Sequence, residues 1–367
     1  MKQKVFVYDP TLKDEKSAVR GIGRYLQILK ENFPEWTFTN QLTINNLQLA
    51  IFLNPFFNFL QKPLTIRRIA KKQIAVIHDL IPLKYPSHFP AGVRGNINIF
   101  LNKLALKKYD LIITDSNTSK QDIINILKIN GEKIKVICPC LPKKFVEAGK
   151  KKLGMEARFS LPNLSSSFCL YVGDATWNKN LVNIAKAIKI ADVNCVFVGK
   201  VFQSRSEDIR FERLGIPPKG EGSHWSEKRG IERLDNLWQK ELKEFFELAK
   251  DDKRFIFAGF ISDVELFKLY EQAYINLLLS SAEGFGFSYL EAANFSCPSL
   301  LSDIPVLKEI SNNQALFADP KNPHDMADKI LEIYFNQNLK NQLGAAAKKR
   351  SNFFSAKKFR DSFLLVI

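Results

Sequence analysis

Residues 275–292 read INLLL (275–279) followed by SSAEGFGFSYLEA (280–292). The run Ile275–Leu279 is short, mostly apolar and without strict alternation, which suits a strand buried on both faces. It stops at two serines. A glycine-bearing turn, Gly284-Phe285-Gly286, then opens a helical stretch, Phe287–Asn294. Such a turn leaves free backbone N–H groups and the positive end of the helix dipole at the end of the strand. Strand, glycine turn and helix form the repeating unit of a doubly wound parallel sheet, whose ligands sit beyond the carboxyl ends of the strands.

The same unit recurs on both sides of this stretch. Strands are expected at Phe168–Val172, Cys195–Val198, Phe255–Phe257, Ser299–Ser302 and Ala315–Ala318. Helices are expected near Asn180–Ile190, Ile231–Lys250, Ser262–Gln272 and Pro323–Phe335. Nearer the start, Lys4–Tyr8, Leu49–Leu53, Ile74–Ile77, Leu111–Thr114 and Lys135–Ile137 read as strands. Gly21–Asn32, Ile97–Lys108 and Ser119–Leu127 read as helices between them. The pattern stops from Lys143 to Ser167, a linker rich in Pro, Gly, Lys and Ser. Val201–Lys228 is polar, holds Pro217-Pro218, and reads as a long loop or insertion. Two helical patterns, Leu339–Arg350 and Ser355–Leu365, close the chain. The expectation is two Rossmann-like α/β domains facing a cleft: residues 1–150, residues 165–350, and a terminal helix, 351–367, crossing back to the first.

Composition agrees with that plan. A chain of 367 residues with 46% hydrophobic and 25% charged content suits two soluble domains. No apolar run reaches bilayer length. Lys2, Gln3 and Lys4 lead straight into a strand, so no secretory signal is expected and the cytoplasm is the expected compartment. The five cysteines, Cys138, Cys140, Cys169, Cys195 and Cys297, are odd in number and lack framework spacing. Four dispersed histidines suggest no metal centre. The net charge of +16 fits a solvated basic surface or attraction to an anionic partner. Arg67, Arg68, Lys71 and Lys72 form one basic cluster; Lys143, Lys144, Lys150, Lys151 and Lys152 form another. No zinc spacing or aromatic RNA-binding motif supports a nucleic-acid partner.

Five strings after strands hold the candidate chemistry. Glu283 precedes the glycine turn and Glu291 lies two turns into the helix. A carboxylate can accept two hydroxyl hydrogen bonds, as a sugar or ribose diol offers; on spacing alone, a helix-capping Glu283 and a solvated Glu291 are the plainer reading. In Tyr171-Val172-Gly173-Asp174-Ala175-Thr176-Trp177-Asn178-Lys179-Asn180, Lys179 stands where it can reach a diphosphate, although in so lysine-rich a chain an exposed loop lysine is the alternative. Arg20-Gly21-Ile22-Gly23-Arg24-Tyr25 allows close backbone approach to a phosphate, although a lone glycine pair is a weak signal with a plain turn as its default reading, and no Walker loop follows. In Val76-Ile77-His78-Asp79-Leu80-Ile81-Pro82, His78 ends a strand and can donate to a sugar hydroxyl or developing charge, although taken alone a structural strand-end histidine is the plainer reading, while Asp79 suits a turn. In Thr114-Asp115-Ser116-Asn117-Thr118-Ser119, helix capping by Ser116 or Ser119 is the plainer reading.

The 280–292 segment resembles the Glu-x7-Glu signature of glycosyltransferase family 4, the retaining enzymes of the GT-B fold. Ser302–Glu309 and Ala318-Asp319-Pro320 look like the same family, and the resemblance runs through most of the chain. It implies a nucleotide-sugar donor, retention at the anomeric carbon and no required metal or other cofactor. By that resemblance Glu291 would bind the ribose, Glu283 and His78 the transferred sugar, and Lys179 the diphosphate. The backbone of Gly284, Phe285 and Gly286, and the loop at Gly21 and Gly23, would assist. Asp174 stands where the family often has an arginine, and Lys200 is a candidate to replace that charge. The strings resemble mannosyl- or rhamnosyl-type members that build cell-surface polysaccharide. That implies a donor such as GDP-mannose, a glycan or lipid-linked acceptor, and peripheral association with the inner face of the plasma membrane. A sugar-nucleotide epimerase or phosphorylase of the same fold, and a non-catalytic scaffold, are the alternatives.

Overall fold

A computed structural model describes residues 4–12, 21–41, 50–151, 167–203 and 237–367. The first part contains β1 (Val5–Tyr8), α1 (Gly21–Asn32), β2 (Thr37–Thr39), β3 (Ile51–Asn54), β4 (Lys72–Val76), α2 (Ile81–Lys84), α3 (Gly92–Leu106), β5 (Leu111–Thr114), α4 (Asn117–Leu127), β6 (Ile134–Val136) and α5 (Lys143–Ala148). The second contains β7 (Phe168–Val172), α6 (Leu181–Ala191), β8 (Asn194–Val198), α7 (Leu237–Ala249), β9 (Phe255–Gly259), α8 (Asp263–Gln272), β10 (Ile275–Leu278), α9 (Phe287–Asn294), β11 (Ser299–Ser302), α10 (Pro305–Ser311), β12 (Leu316–Ala318), α11 (Pro323–Phe335), α12 (Gln337–Ser351) and α13 (Ala356–Leu364).

The strands form two six-stranded sheets of order β2-β1-β3-β4-β5-β6 and β12-β11-β10-β7-β8-β9, and their pairings are parallel. Successive strand residues go to opposite faces. Val5, Val7, Leu53 and Val76 join one core layer of the first sheet, and Phe52, Ala75 and Ile77 join the other. In the second sheet Cys169, Tyr171 and Phe197 face one layer, and Phe168, Leu170 and Val196 the other. Both faces are apolar, so the strands read as near-continuous hydrophobic runs. This is the expected two-domain, doubly wound fold.

The terminal helix α13 packs back on the first domain. Phe359 and Phe363 are buried against Phe33 and Trp36, and Arg360 reaches Glu35 at 2.6 Å.

Some elements differ from the sequence reading. β2, α2, α5 and α10 are short pieces with too few residues to show a period. Helix α5 falls inside the range read as linker and as first domain, yet its Phe145 is buried with Phe267 and Tyr289 of the second core. The sequence suggests a polar loop that begins at Val201 and Phe202. They lie instead in a single helical turn, Lys200–Phe202, and Phe202 is buried among Phe197, Phe245 and Phe257. The rest of that stretch from residue 204, and linker residues 152–166, lie outside the described residues. Among the described residues no helix is long and apolar enough to cross a membrane.

Candidate active site

The order of each sheet reverses once. In the second sheet β10 and β7 are neighbours, and their following loops diverge around that point. A doubly wound sheet binds its ligands there. The loop after β7 carries Lys179, and the loop after β10 carries Glu283. The two side chains meet, with Lys179 Nζ donating to Glu283 Oε1 at 2.6 Å and Ser280 Oγ donating to the same oxygen at 2.7 Å.

Asparagines fix this meeting. Asn178 Nδ2 donates to the Ala282 carbonyl at 3.0 Å, and Ser281 N donates to the Asn178 carbonyl at 2.7 Å. Asn180 takes a left-handed conformation, φ 60°, as asparagine tolerates. Its amide then donates to the carbonyls of Leu279 (2.9 Å) and Pro320 (2.7 Å). The Thr-Trp-Asn-Lys-Asn loop is thereby held to both the Glu283 loop and the Ala-Asp-Pro turn. Gly286 has φ 105° and precedes α9. Among the described residues no acceptor takes the N–H groups of Gly284, Phe285 or Gly286. The Phe285 side chain is buried against Phe287 and Phe354, so only its backbone serves the turn.

The first domain closes on this loop. A Cβ added to Gly284 would lie 2.8 Å from the His78 carbonyl and 2.9 Å from Asp79 Cβ. Ser116 Oγ donates to the Gly284 carbonyl at 2.9 Å, and Ser116 also caps α4 by accepting from Ser119 N. Glu309 of α10 accepts from the backbone N–H of Asn117 (2.7 Å) and of Thr118 (2.9 Å). That places a carboxylate on the positive end of a helix from the other domain. On the far side Trp177 stacks on His88, with ring centroids 3.7 Å apart, and Tyr85 lies 5.0 Å away.

His78 does sit at the cleft, but its ring nitrogens face the protein. Nδ1 lies 2.6 Å from Asp115 Oδ2, and Nε2 lies 3.0 Å from the Pro55 carbonyl. Both partners are acceptors, so both bonds form only in the imidazolium. Burial alone would lower the His78 pKa; the Asp115 carboxylate outweighs it and the pKa is raised. Asp79 accepts from Ile81 N at 3.0 Å, a turn contact. Burial raises its pKa and nearby Glu283 adds to the effect, against the pull of His78 and Lys179. A pocket of about 170 Å³ opens beside His78 and Asp79, lined by Phe56, Phe57, Phe59 and Leu80.

Glu291 shares no hydrogen bond or ion pair with Lys179 or Glu283 among the described residues. It is buried, accepts from Tyr270 Oη at 3.0 Å, and stands 3.7 Å from Arg24 Nε. Burial raises its pKa; Arg24 and Tyr270 pull it back only in part. Arg24 comes from α1, which Gly21 opens and which contains Gly23. Its fork grips Asp263 at 3.0 and 3.3 Å and covers the Phe145 ring at 4.5 Å. Lys144 joins Asp263 as well. The loop entering α1, including Arg20, lies outside the described residues. Lys200 is exposed, with Nζ 5.6 Å from the Phe260 ring, and forms no ion pair among the described residues. Asp174 accepts from Ala175 N.

Arg24, Asp115 and Trp177 appear in the strings quoted above but were given no role. Their partners are distant in sequence, so no spacing signal marks them.

A search of protein families matches residues 156–350 to the family described as glycosyl transferases group 1. Curated relatives include the serotype-specific mannosyltransferase WbdA of Escherichia coli, 25% identical over 70% of this chain and 29% of that one. Another is the O-antigen chain mannosyltransferase RfbU of Salmonella typhimurium, 24% identical over 72% of this chain and 62% of that one. The chain thus spans less than two thirds of either relative's length. Among solved structures, Anabaena Alr3699/HepE in complex with UDP and glucose superimposes with TM-score 0.65 over 99% of this chain and 98% of that one, at 15% identity. A glycosyltransferase from Rickettsia africae gives TM-score 0.61 over 100% and 98%, at 16% identity. The match covers more than half of the sequence, including both loops that bring Lys179 and Glu283 together, and this chain belongs to the group 1 glycosyl transferase family.

Proposed function

We infer that this chain transfers a hexose, of mannose type, from a nucleotide-sugar donor to a glycan or lipid-linked acceptor, with retention at the anomeric carbon and no metal. The observation that carries the reading is the Lys179–Glu283 pair at the sheet reversal, closed over by the His78–Asp79 segment at Gly284. The curated relatives are named as mannosyltransferases of O-antigen, which supports the choice of sugar and of a polysaccharide product. The HepE structures contain UDP or UDP-glucose, which supports a nucleoside diphosphate leaving group.

In this reading the acceptor hydroxyl attacks the anomeric carbon from the face that the diphosphate leaves. The new glycosidic C–O bond forms as the bond to the phosphate oxygen breaks, and the hydroxyl proton passes to the leaving phosphate. Lys179 and the free N–H groups of the 284–286 turn stabilise the diphosphate charge. Glu283 holds sugar hydroxyls, and Glu291 holds the ribose diol. His78 contributes its positive charge; a sugar hydroxyl would reach its ring by replacing the Pro55 carbonyl. Closure of the domains excludes water. The test is a donor screen that measures nucleotide released from GDP-, UDP- and dTDP-sugars, with and without chelator. Acceptor-dependent release from one class, unaffected by chelator, is expected. Donor turnover that yields no glycosidic bond would favour the epimerase or phosphorylase alternative, and no nucleotide binding would favour the scaffold.

A further inference from the structure

Glu291 is a buried carboxylate whose own domain supplies it with no cation. It sits on α9, is 6% exposed, and takes a hydrogen bond from Tyr270 Oη. A buried carboxylate is costly to ionise unless a cation pairs with it. Burial pushes Glu291 toward its neutral form, and Arg24 is the largest effect opposing that push. Among the described residues Arg24 is the one cation within ion-pair distance of Glu291, with Nε 3.7 Å from Oε1. It belongs to α1, in the other domain.

The other charges around α9 do not take its place. Asp263, at the start of α8, is an anion and works against ionisation of Glu291. Lys144 of α5 pairs with Asp263. Lys348 of α12 donates to the Asn294 carbonyl, at the far end of α9. Strands β10 and β11, INLL and SLLS, carry no ionisable side chain. Arg24 itself is fixed by partners of the second domain. Its fork grips Asp263, and its guanidinium covers the ring of Phe145, which is buried in the second core.

The charge of Glu291 decides what it can bind. An ionised carboxylate accepts two hydroxyl hydrogen bonds strongly, whereas a protonated one gives up acceptor capacity to its own proton. At 3.7 Å the Arg24 contact is an ion pair without a hydrogen bond, so Oε1 keeps lone pairs for a ligand hydroxyl. We propose that Arg24 is a positioning residue for the donor: from the first domain it supplies the countercharge of Glu291, so that the seat for the ribose diol is complete only when the two domains are closed. The proposal rests on Glu291 as the ribose seat and adds what makes that seat competent.

The test is calorimetry of the full chain with whichever of GDP, UDP and dTDP binds wild type most tightly, from about pH 7 to about pH 9. Ratios to wild type cancel the ligand's own titration. Arg24→Met should weaken binding about tenfold at neutral pH. The ionised form of Glu291 returns as pH rises, so the deficit should shrink toward the alkaline end. Arg24→Gln, which keeps a donor for Asp263, should behave as Arg24→Met does, and Arg24→Lys should restore most of the affinity. In a Glu291→Gln background, Arg24→Met should add less than about a twofold loss. An Arg24 that only ties the domains through Asp263, or that touches the diphosphate itself, would give a deficit flat with pH and fully additive to that of Glu291→Gln. Either result would overturn the proposal, as would wild-type affinity in Arg24→Met. Wild-type affinity in Glu291→Gln would instead remove the ribose seat, and this proposal with it.

Discussion

The carbonyl oxygen of Gly284 accepts a 2.9 Å hydrogen bond from the hydroxyl of Ser116, across the boundary between the two domains. The turn of the second domain that carries the chemistry is therefore seated on a helix cap of the first. Gly284→Ala would push a methyl group against the His78 carbonyl. Backbone cannot yield as a flexible side-chain tip can. The variant should lose about 1–3 kcal/mol of stability, read from denaturant unfolding. Its transfer rate should fall further than its stability alone explains, read under conditions where it remains folded.

A second joint rests on Glu309, which takes the backbone N–H groups of Asn117 and Thr118. Glu309→Ala leaves the N–H groups of Asn117 and Thr118 without that acceptor, while Ser116 still caps Ser119. Stability should drop by about 1–2 kcal/mol. Small-angle scattering should report a larger radius of gyration as the domains separate. An unchanged radius with unchanged stability would show that this joint is dispensable.

His78 gives a pH signature. Asp115 raises its folded pKa above the unfolded value of about 6.5. The pair therefore adds stability that is complete below the unfolded pKa and is lost as pH rises through the folded one. Thermal unfolding of wild type and His78→Gln, compared across pH, should show the largest gap on the acid side of neutrality. The gap should narrow as pH rises. A gap independent of pH would mean that the ring carries no charge.

Glu291→Gln keeps the shape of a buried group while removing a charge that faces Arg24 at 3.7 Å. Donor affinity, measured by calorimetry with the free nucleoside diphosphate, should weaken by about tenfold. Affinity at wild-type level would remove Glu291 from the donor site and leave it as part of the contact with Arg24, Tyr270 and Asp263.

The fold was legible wherever a strand or helix is long enough to show its period. The termini of α1, α9 and α11 were read to the residue, because glycine, asparagine or proline marks them. Among the shortest pieces, β6 and β12 were still marked by apolar runs, whereas β2, with three residues, and α5, with six, carry no such mark. In the site, Lys179 and Glu283 were each legible because each follows an apolar strand through a turn of recognisable composition. Their contact was not, since they are 104 positions apart. The same holds for Arg24 with Asp263, 239 apart, and for His78 with Asp115. A sequence shows that a histidine ends a strand; it does not show that both ring nitrogens are already taken. The stack of Trp177 on His88 joins two segments with no periodic signal, and folding alone brings it about.

The central claim is that Lys179 and Glu283 form one site for the departing diphosphate and the transferred sugar. It is tested most directly by the rate of acceptor-dependent nucleotide release, measured for wild type, Lys179→Met, Glu283→Gln and the double variant. Each single change should lower kcat by about 10²–10³, and the double variant should fall by less than the product of the two. Release at the wild-type rate from either single variant would contradict the account.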